Sequence, residues 1–251
     1  MTFWRESFIV FRRQLRMNLR NPAWVIIGMV QPVLYLLLFG PLLKPLVQKF
    51  GSVNAYTFLV PGLLVQLGIF GAFFAGFSLI GEWREGVIEA ERVTPASRTA
   101  LLVGRLGRDL LQLVVQAVIL VALGLALGMD ASFAGIALGI GLTLLIGGAC
   151  AASSNALALS TKSEEVMAPV INMVMMPVLL LSGILLPMTI GPTWLRRVSD
   201  FMPIRHIVDA VRGAFGGQLA SSTLAWGAVW AIGLLALAVW WGTATFRREN
   251  A

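Results

Sequence analysis

Side chains able to do covalent or proton-transfer chemistry are few in this chain. Its 251 residues hold one histidine, His206, and one cysteine, Cys150. A serine hydrolase acting inside a membrane needs a serine with a histidine in reach. Ser153, Ser154 and Ser182 stand in apolar stretches, but no G-x-S-x-G elbow surrounds them. His206 lies on a short charged segment, where a hydrogen-bonding surface or interface role fits better, so an intramembrane protease is the weaker reading. Nucleotide hydrolysis by a P-loop needs G-x-x-x-x-G-K-[ST]. The only lysine followed by Ser or Thr is Lys162, and Ala156 and Thr161 stand where the glycines belong. A single cysteine allows no intrachain disulfide, and no Cys/His cluster suggests a metal. Cys150, in GGACAASS, reads as one more small residue for helix packing. A proton-coupled carrier would show an ionisable residue within a span, and the long apolar runs show none.

Those runs set the architecture. Hydrophobic residues make up 58% of the chain and charged residues 12%, against about 25% charged in soluble domains. Uncharged stretches at 21–43, 50–81, 110–129, 131–161, 166–195 and 213–246 each approach or exceed the roughly 20 residues that cross a bilayer as helix. The expectation is an all-α polytopic membrane protein. One domain, 1–251, has spans at about 23–43, 56–80, 110–128, 133–160, 166–186 and 224–246, with little left for a soluble domain. Pro32 is a candidate kink in the first span, and Lys44 to Gly51 reads as a short loop. In a soluble protein the excess of 19 Lys+Arg over 12 Asp+Glu would suggest nucleic acid. Here cations flanking spans explain it, and no nucleic-acid partner is expected. Residues 3–20 carry Trp4, Phe8, Phe11, Leu15 and Leu19 as one stripe among arginines, a basic amphipathic helix expected to lie in the membrane interface. They do not read as a cleaved signal.

Two polar blocks interrupt the apolar pattern. In the first, residues 81–105, Glu82, Glu85, Glu89 and Arg92 recur at helical spacing, and Thr94-Pro95 forces a break. Ser97 can cap a helix running into the third span. Glu85 and Glu89, four apart, form a like-charge pair that calls for a basic partner. Periodicity alone leaves this block open between a solvated loop and a docking element. The second block, 182–217, breaks its apolar run at Pro187 and yields two helical pieces too short to cross. Ile204, Ile207, Val208, Val211 and Phe215 form one face of the second piece. Arg205, His206, Asp209 and Arg212 fall mostly on the other. Irregular backbone between two spans must be buried in protein or line a cavity, so 187–216 reads as a re-entrant or interfacial helical hairpin.

The second block, with Ser182, Gly183, Pro187, Pro192, Trp194, Leu195, Pro203, His206, Val208, Asp209, Ala210, Arg212 and Gly213 in register, resembles the last third of ABC type-2 exporter permeases. The daunorubicin-resistance-like multidrug or lipid class is the nearest in kind. The first block, R-E-x-G-x-x-E followed by P-x-S-R, resembles that family's cytosolic coupling loop. The resemblance implies that Glu82, Arg84, Glu85, Glu89, Arg92, Thr94, Pro95 and Arg98 couple to an ATPase, and that 3–20 touches it too. It implies that the second and fifth spans line the path at a dimer interface, with Gln66, Phe70, Phe73, Phe74, Asn172, Met173 and Met176 along it. Pro187, Trp194, Pro203, His206, Asp209 and Arg212 would form the outer gate. The chain itself would hold no cofactor; ATP and Mg would bind two copies of a partner subunit, alongside a second permease, identical or homologous, and membrane lipids. Cargo would be hydrophobic or amphipathic, with polysaccharide or teichoic acid as the alternative.

Orientation follows from charge. Thirteen of the 19 Lys+Arg fall on the side of the N-terminus, 81–109, 161–165 and the C-terminus. The richer side is cytoplasmic. A bacterial inner membrane, both termini inside and the hairpin outside is the expected topology.

Overall fold

The structure is a computed structural model describing residues 3–20, 23–50, 54–87, 98–185, 188 and 191–248. All regular structure among these residues is helical. In chain order the helices are α1 (Phe3–Arg20), α2 (Ala23–Phe50), α3 (Ala55–Phe73), α4 (Ala75–Arg84) and α5 (Arg98–Ala126). There follow α6 (Phe133–Thr161), α7 (Glu164–Leu181), α8 (Thr193–Asp200), α9 (Pro203–Phe215) and α10 (Ser222–Arg248). Six stretches are long and apolar enough to cross a membrane: Val25–Pro45, Ala55–Arg84, Val103–Ala126, Phe133–Thr161, Glu164–Leu181 and Ser222–Thr245. The chain is an all-α polytopic membrane protein, as the apolar runs imply.

The second span is the hub. From Ala55 to Ile69 every residue except Phe58 is buried. The most apolar windows of the first, fifth and sixth spans are only 22%, 22% and 17% buried, leaving broad faces for lipid or another chain. Lipid tails are as apolar as leucine, so hydrophobicity does not drive these helices together; close packing over small residues does. The fourth span supplies it through Gly147, Gly148, Ala149, Cys150, Ala151 and Ala152, all buried.

Polar contacts sort the connections into two ends. At one end Arg84 pairs with Glu164 at 3.1 Å, and Gln14 of α1 bonds Glu82. At the other end Asn54 caps α3 and donates to the Gly128 carbonyl, while Thr57 and Asp130 exchange two bonds of 3.1 Å. The hairpin sits at this second end, with Arg212 bonded to Phe58, Gly183 and Ile184.

Several boundaries differ from those read in the sequence. Helix α2 continues through Lys44 to Phe50, where a loop was expected; the ammonium of Lys44 lies 5.3 Å from the centre of the Tyr56 ring, which lets the charge sit on a helix. The third span begins at Val103 rather than 110, so Arg105, Arg108 and Asp109 lie inside it. The expectation that no span carries an ionisable residue is therefore corrected. Glu82 of the second span pairs with Arg105, and Arg108 pairs with Asp109 within the helix, so the apolar stretch does not have to wait for the last charge. Helix α1 buries Ser7 and Gln14, while Phe8 of the apolar stripe is 61% exposed and Arg5, Arg12, Arg13 and Arg16 are exposed as well. It meets α5 through Ser7 and Val10 over Gly104 and through the Phe11 ring over Gly107.

Candidate transport path at the break in the second span

The second span is not one continuous helix. It stops at Phe73 and restarts at Ala75, with Phe74 between. The cause is a side chain from the fourth span. Ser154 donates its hydroxyl hydrogen to the Phe73 carbonyl and accepts the Gly76 N–H at 3.1 Å. A side chain inserted into the backbone ladder is a recognised origin of helix breaks, and here one hydroxyl satisfies both groups that the break exposes. Gly76 is required for it. A Cβ there would stand 2.3 Å from Met167 Cε and 2.6 Å from the Ser154 carbonyl oxygen.

The break turns consecutive aromatics to different sides. Phe73 joins Ile69, Cys150, Met175, Leu234 and Trp240 around an apolar cavity of about 430 Å³ between the second, fourth, fifth and sixth spans. Phe74, with Phe77 and Ser78, lines a second cavity of about 390 Å³ against Arg108, Asp109 and Gln116 of the third span. Broken helices beside cavities are where transporters place their sites.

The seven residues expected along the path divide among three environments. Phe73 and Phe74 flank the break. Gln66 is inside the bundle, 1% exposed, with neither amide atom hydrogen-bonded. Asn172, Met173 and Met176 stand on the outward face of α7, Met173 80% exposed, while Met167, Ile171 and Met175 face inward. Phe70 packs partly buried at the core's edge.

At the end carrying Glu82, a polar network joins three elements. Arg105 donates to Glu82 at 2.8 Å, and Gln14 donates to the same carboxylate at 2.6 Å. Arg108 reaches Gln14 Oε1 at 3.0 Å and clasps Asp109 Oδ1 through two nitrogens at 2.9 and 2.6 Å. The family resemblance implied a docking surface on α1 and 81–105. The pairing of Glu82 with Arg105 and the part of Gln14 were not foreseen. Their signal was a glutamate and arginines at the two ends of one loop. Of the expected coupling residues, Arg84 pairs with Glu164, and Glu85 caps the end of α4. Gly86 then takes φ +73, so one unbroken helix does not run from Glu82 to Arg92. Glu89, Arg92, Thr94 and Pro95, and Ser97 as a cap, lie outside the described residues, as does Pro187; Arg98 opens α5.

In the hairpin, Pro203 occupies the first turn of α9, where its missing N–H costs nothing. Arg205 binds Asp200 at 2.6 Å and Asp209 at 3.5 Å. His206 donates from Nε2 to the Asp200 carbonyl at 3.0 Å and stacks on Trp230, the rings 9° from parallel. Trp194 is 65% exposed. Arg212 departs from the expected polar face. It lies at the border of the stripe, beside Val208, and turns inward. Its guanidinium covers the Phe58 ring at 3.9 Å and donates to the carbonyls of Phe58, Gly183 and Ile184 at 3.3, 2.8 and 2.8 Å. Burial pushes its pKa down to about 10, opposed by Asp209. Two of the three carbonyls follow the C-terminus of α7, where a positive charge is favoured. Of the three serines considered as nucleophiles, Ser154 is engaged in the break and Ser182 on the Leu179 carbonyl, and Ser153 lines the apolar cavity.

The geometry is that of a six-span bundle whose central helix is broken between two cavities. The chain belongs to the ABC-2 type transporter family, which it matches over residues 5–215. It is similar to a protein described as "Putative transport permease ycf38" of Cyanophora paradoxa, 25% identical over 214 residues, covering 84% of this chain and 74% of that one. It is also similar to "Probable multidrug ABC transporter permease YbhR" of Escherichia coli (strain K12), 27% identical over 197 residues, covering 76% of this chain and 52% of that one. The match therefore spans about half the length of the Escherichia coli relative.

Proposed function

We propose that this permease exports a hydrophobic or amphipathic compound, drug-like or lipid-like, with ATP hydrolysed on a separate subunit. The observation that carries the reading is the break at Phe73–Ala75, set between two cavities and continuous through α4 with the loop that follows Arg84. In this reading a pair of permease chains, identical or homologous, sits on two ATP-binding subunits in a bacterial inner membrane. Closure of the ATPase pair reaches α4 through 81–98, and the two segments of the second span pivot about Ser154. Cargo leaves past the hairpin, which re-enters the membrane from outside. Packing supports that placement: Gly227 of α10 abuts Ala210, and Ile204 shares the apolar cavity with Leu234. The largely apolar cavity between the fourth and sixth spans suits such cargo better than a polysaccharide.

The test is assembly and turnover. The purified chain alone should hydrolyse no ATP, and a co-expressed subunit with a P-loop should co-purify and hydrolyse ATP when cargo is added. Robust hydrolysis by the isolated chain, with contaminating ATPases excluded, ends this reading. Cysteines at Gly51 or Ser221 should react with an impermeant thiol reagent from outside, and those at Ala96 or Ala251 should not. Outside labelling at Ala96 overturns the orientation.

A further inference from the structure

The exposed side of helix α1 combines cations with apolar side chains. The helix carries five arginines and a single acidic residue, Glu6. Arg5, Arg12 and Arg16 are exposed. At about 100° per residue they fall within roughly 40° of one another, in a row about 16 Å long. Phe8 and Ile9, both more than half exposed, flank the row on its two sides. Among the described residues, no carboxylate pairs with any of these three arginines. The opposite side of the helix is fixed at the edge of the apolar bundle. Ser7 and Val10 sit over Gly104, one residue into the third span. Helix α2 opens at Ala23, three positions after α1 closes, and the first span begins at Val25.

We propose that this face binds the anionic headgroups of the membrane leaflet at its end of the bundle, with Arg5, Arg12 and Arg16 on the phosphates, and that the bound lipid holds Gln14 in its seat. Guanidinium groups match phosphate oxygens in pairs. Apolar side chains beside them, here Phe8 and Ile9, add the buried area that keeps a basic helix at headgroup level. The place fits, because both the flank and the end of α1 lie where a span begins. An ATP-binding subunit fits the row less well. Glu85 and Glu89 in the neighbouring block call for a basic partner, and a basic surface repels three guanidinium groups. The face therefore takes a partner other than the ATPase that the resemblance implies for 3–20. What the lipid controls follows from the buried side. Gln14 donates to Glu82 at 2.6 Å and accepts from Arg108 at 3.0 Å. One amide thus joins the second and third spans, and its position depends on how firmly α1 is held.

The test uses the full-length chain with Cys150→Ala and Ile9→Cys, labelled with the environment-sensitive dye NBD, in nanodiscs of phosphatidylcholine to which phosphatidylglycerol is added. Emission should move to the blue in a saturable way as phosphatidylglycerol rises, and added salt should reverse the move. Arg5→Gln, Arg12→Gln and Arg16→Gln, all at exposed positions, should each weaken the response about fivefold, the worth of one arginine at an anionic surface. Thermal melts read the buried side. Phosphatidylglycerol should raise the Tm of the unlabelled parent but not that of Gln14→Leu, whose dye response should stay intact. Emission that ignores lipid charge overturns the site. So does a shift that needs an added ATP-binding subunit, or one that inorganic phosphate produces without anionic lipid. An equal gain in Tm for parent and Gln14→Leu overturns the link to Gln14, and so does no gain in the parent, which needs no variant that folds. The isolated chain carries the proposal, so its failure leaves the export reading to its own co-purification test.

Discussion

Both ends of the bundle turn an arginine inward, and they hold it differently. Arg105, at the end carrying Glu82, is 4% exposed in its side chain and faces the Glu82 carboxylate at 2.8 Å. Arg212, at the hairpin end, bonds three backbone carbonyls and an aromatic face. A carboxylate partner makes a contact between two side chains, which substitution can exchange. Carbonyl partners fix a cation to the path of the main chain itself. The first arrangement ties helices that have to be told apart by charge; the second ties the hairpin to the ends of two spans by shape.

The largest effect should come at the carboxylate end. Arg105→Ala leaves Glu82 buried without its cation, and a cost of about 3–5 kcal/mol is expected, as for other broken buried pairs. Thermal melts in detergent measure it. Exchange of the two residues, Glu82→Arg with Arg105→Glu, should recover part of the loss; no recovery would mean that the pair is held by geometry, as Arg212 is, and the contrast would collapse.

Arg212→Lys tests the other end. An ammonium keeps the charge but loses the planar fork that reaches Gly183, Ile184 and Phe58 together. A loss of roughly 1.5–3 kcal/mol is expected, with faster proteolysis confined to 182–217. Lysine behaving like arginine would show that charge alone is needed there.

A pH series should separate shape from titration. With its pKa pushed down to about 10 from the ordinary guanidinium value, Arg212 is protonated in folded and unfolded chains alike below that point. Only between the folded value and the ordinary one does the unfolded chain keep a proton the folded one has lost, so stability gained from this group appears there, as pH rises. The destabilisation by Arg212→Met should therefore be the same at about pH 6 and about pH 9. A slope across that interval would place another titrating group on the hairpin.

The smallest effect on stability belongs to Glu85→Lys. Glu85 is exposed at the end of α4, and a change of a few tenths of a kcal/mol is expected. Combined with Glu89→Lys it should still weaken co-purification with the ATPase subunit, against Glu249→Lys as control. Unchanged co-purification and pumping would move the docking site to α1.

Span number and the two short helices between the fifth and sixth spans were legible because they rest on the length of uncharged runs and on where proline and charge interrupt them. The charged start of the third span was not. A count that stops at the last charge cannot see that Glu82, from another element, pairs with Arg105, and that Arg108 and Asp109 pair with each other. The inward turn of Arg212 was hidden for a related reason: it sits at the edge of a helical stripe, where periodicity does not choose a side. The break at Phe74 had the least local warning. The element that ends the helix is a serine 78 positions after Gly76.

That serine sets a rule for recombining this protein with its relatives. The second span's main chain is complete only when the fourth span brings a hydroxyl at 154 opposite a glycine at 76. A chimera that sets this second span against a fourth span without a hydroxyl at 154 orphans a carbonyl and an N–H, and one that sets this fourth span against a second span without glycine at 76 meets a steric collision. The two spans are therefore a single heritable unit, although the whole third span lies between them in the chain.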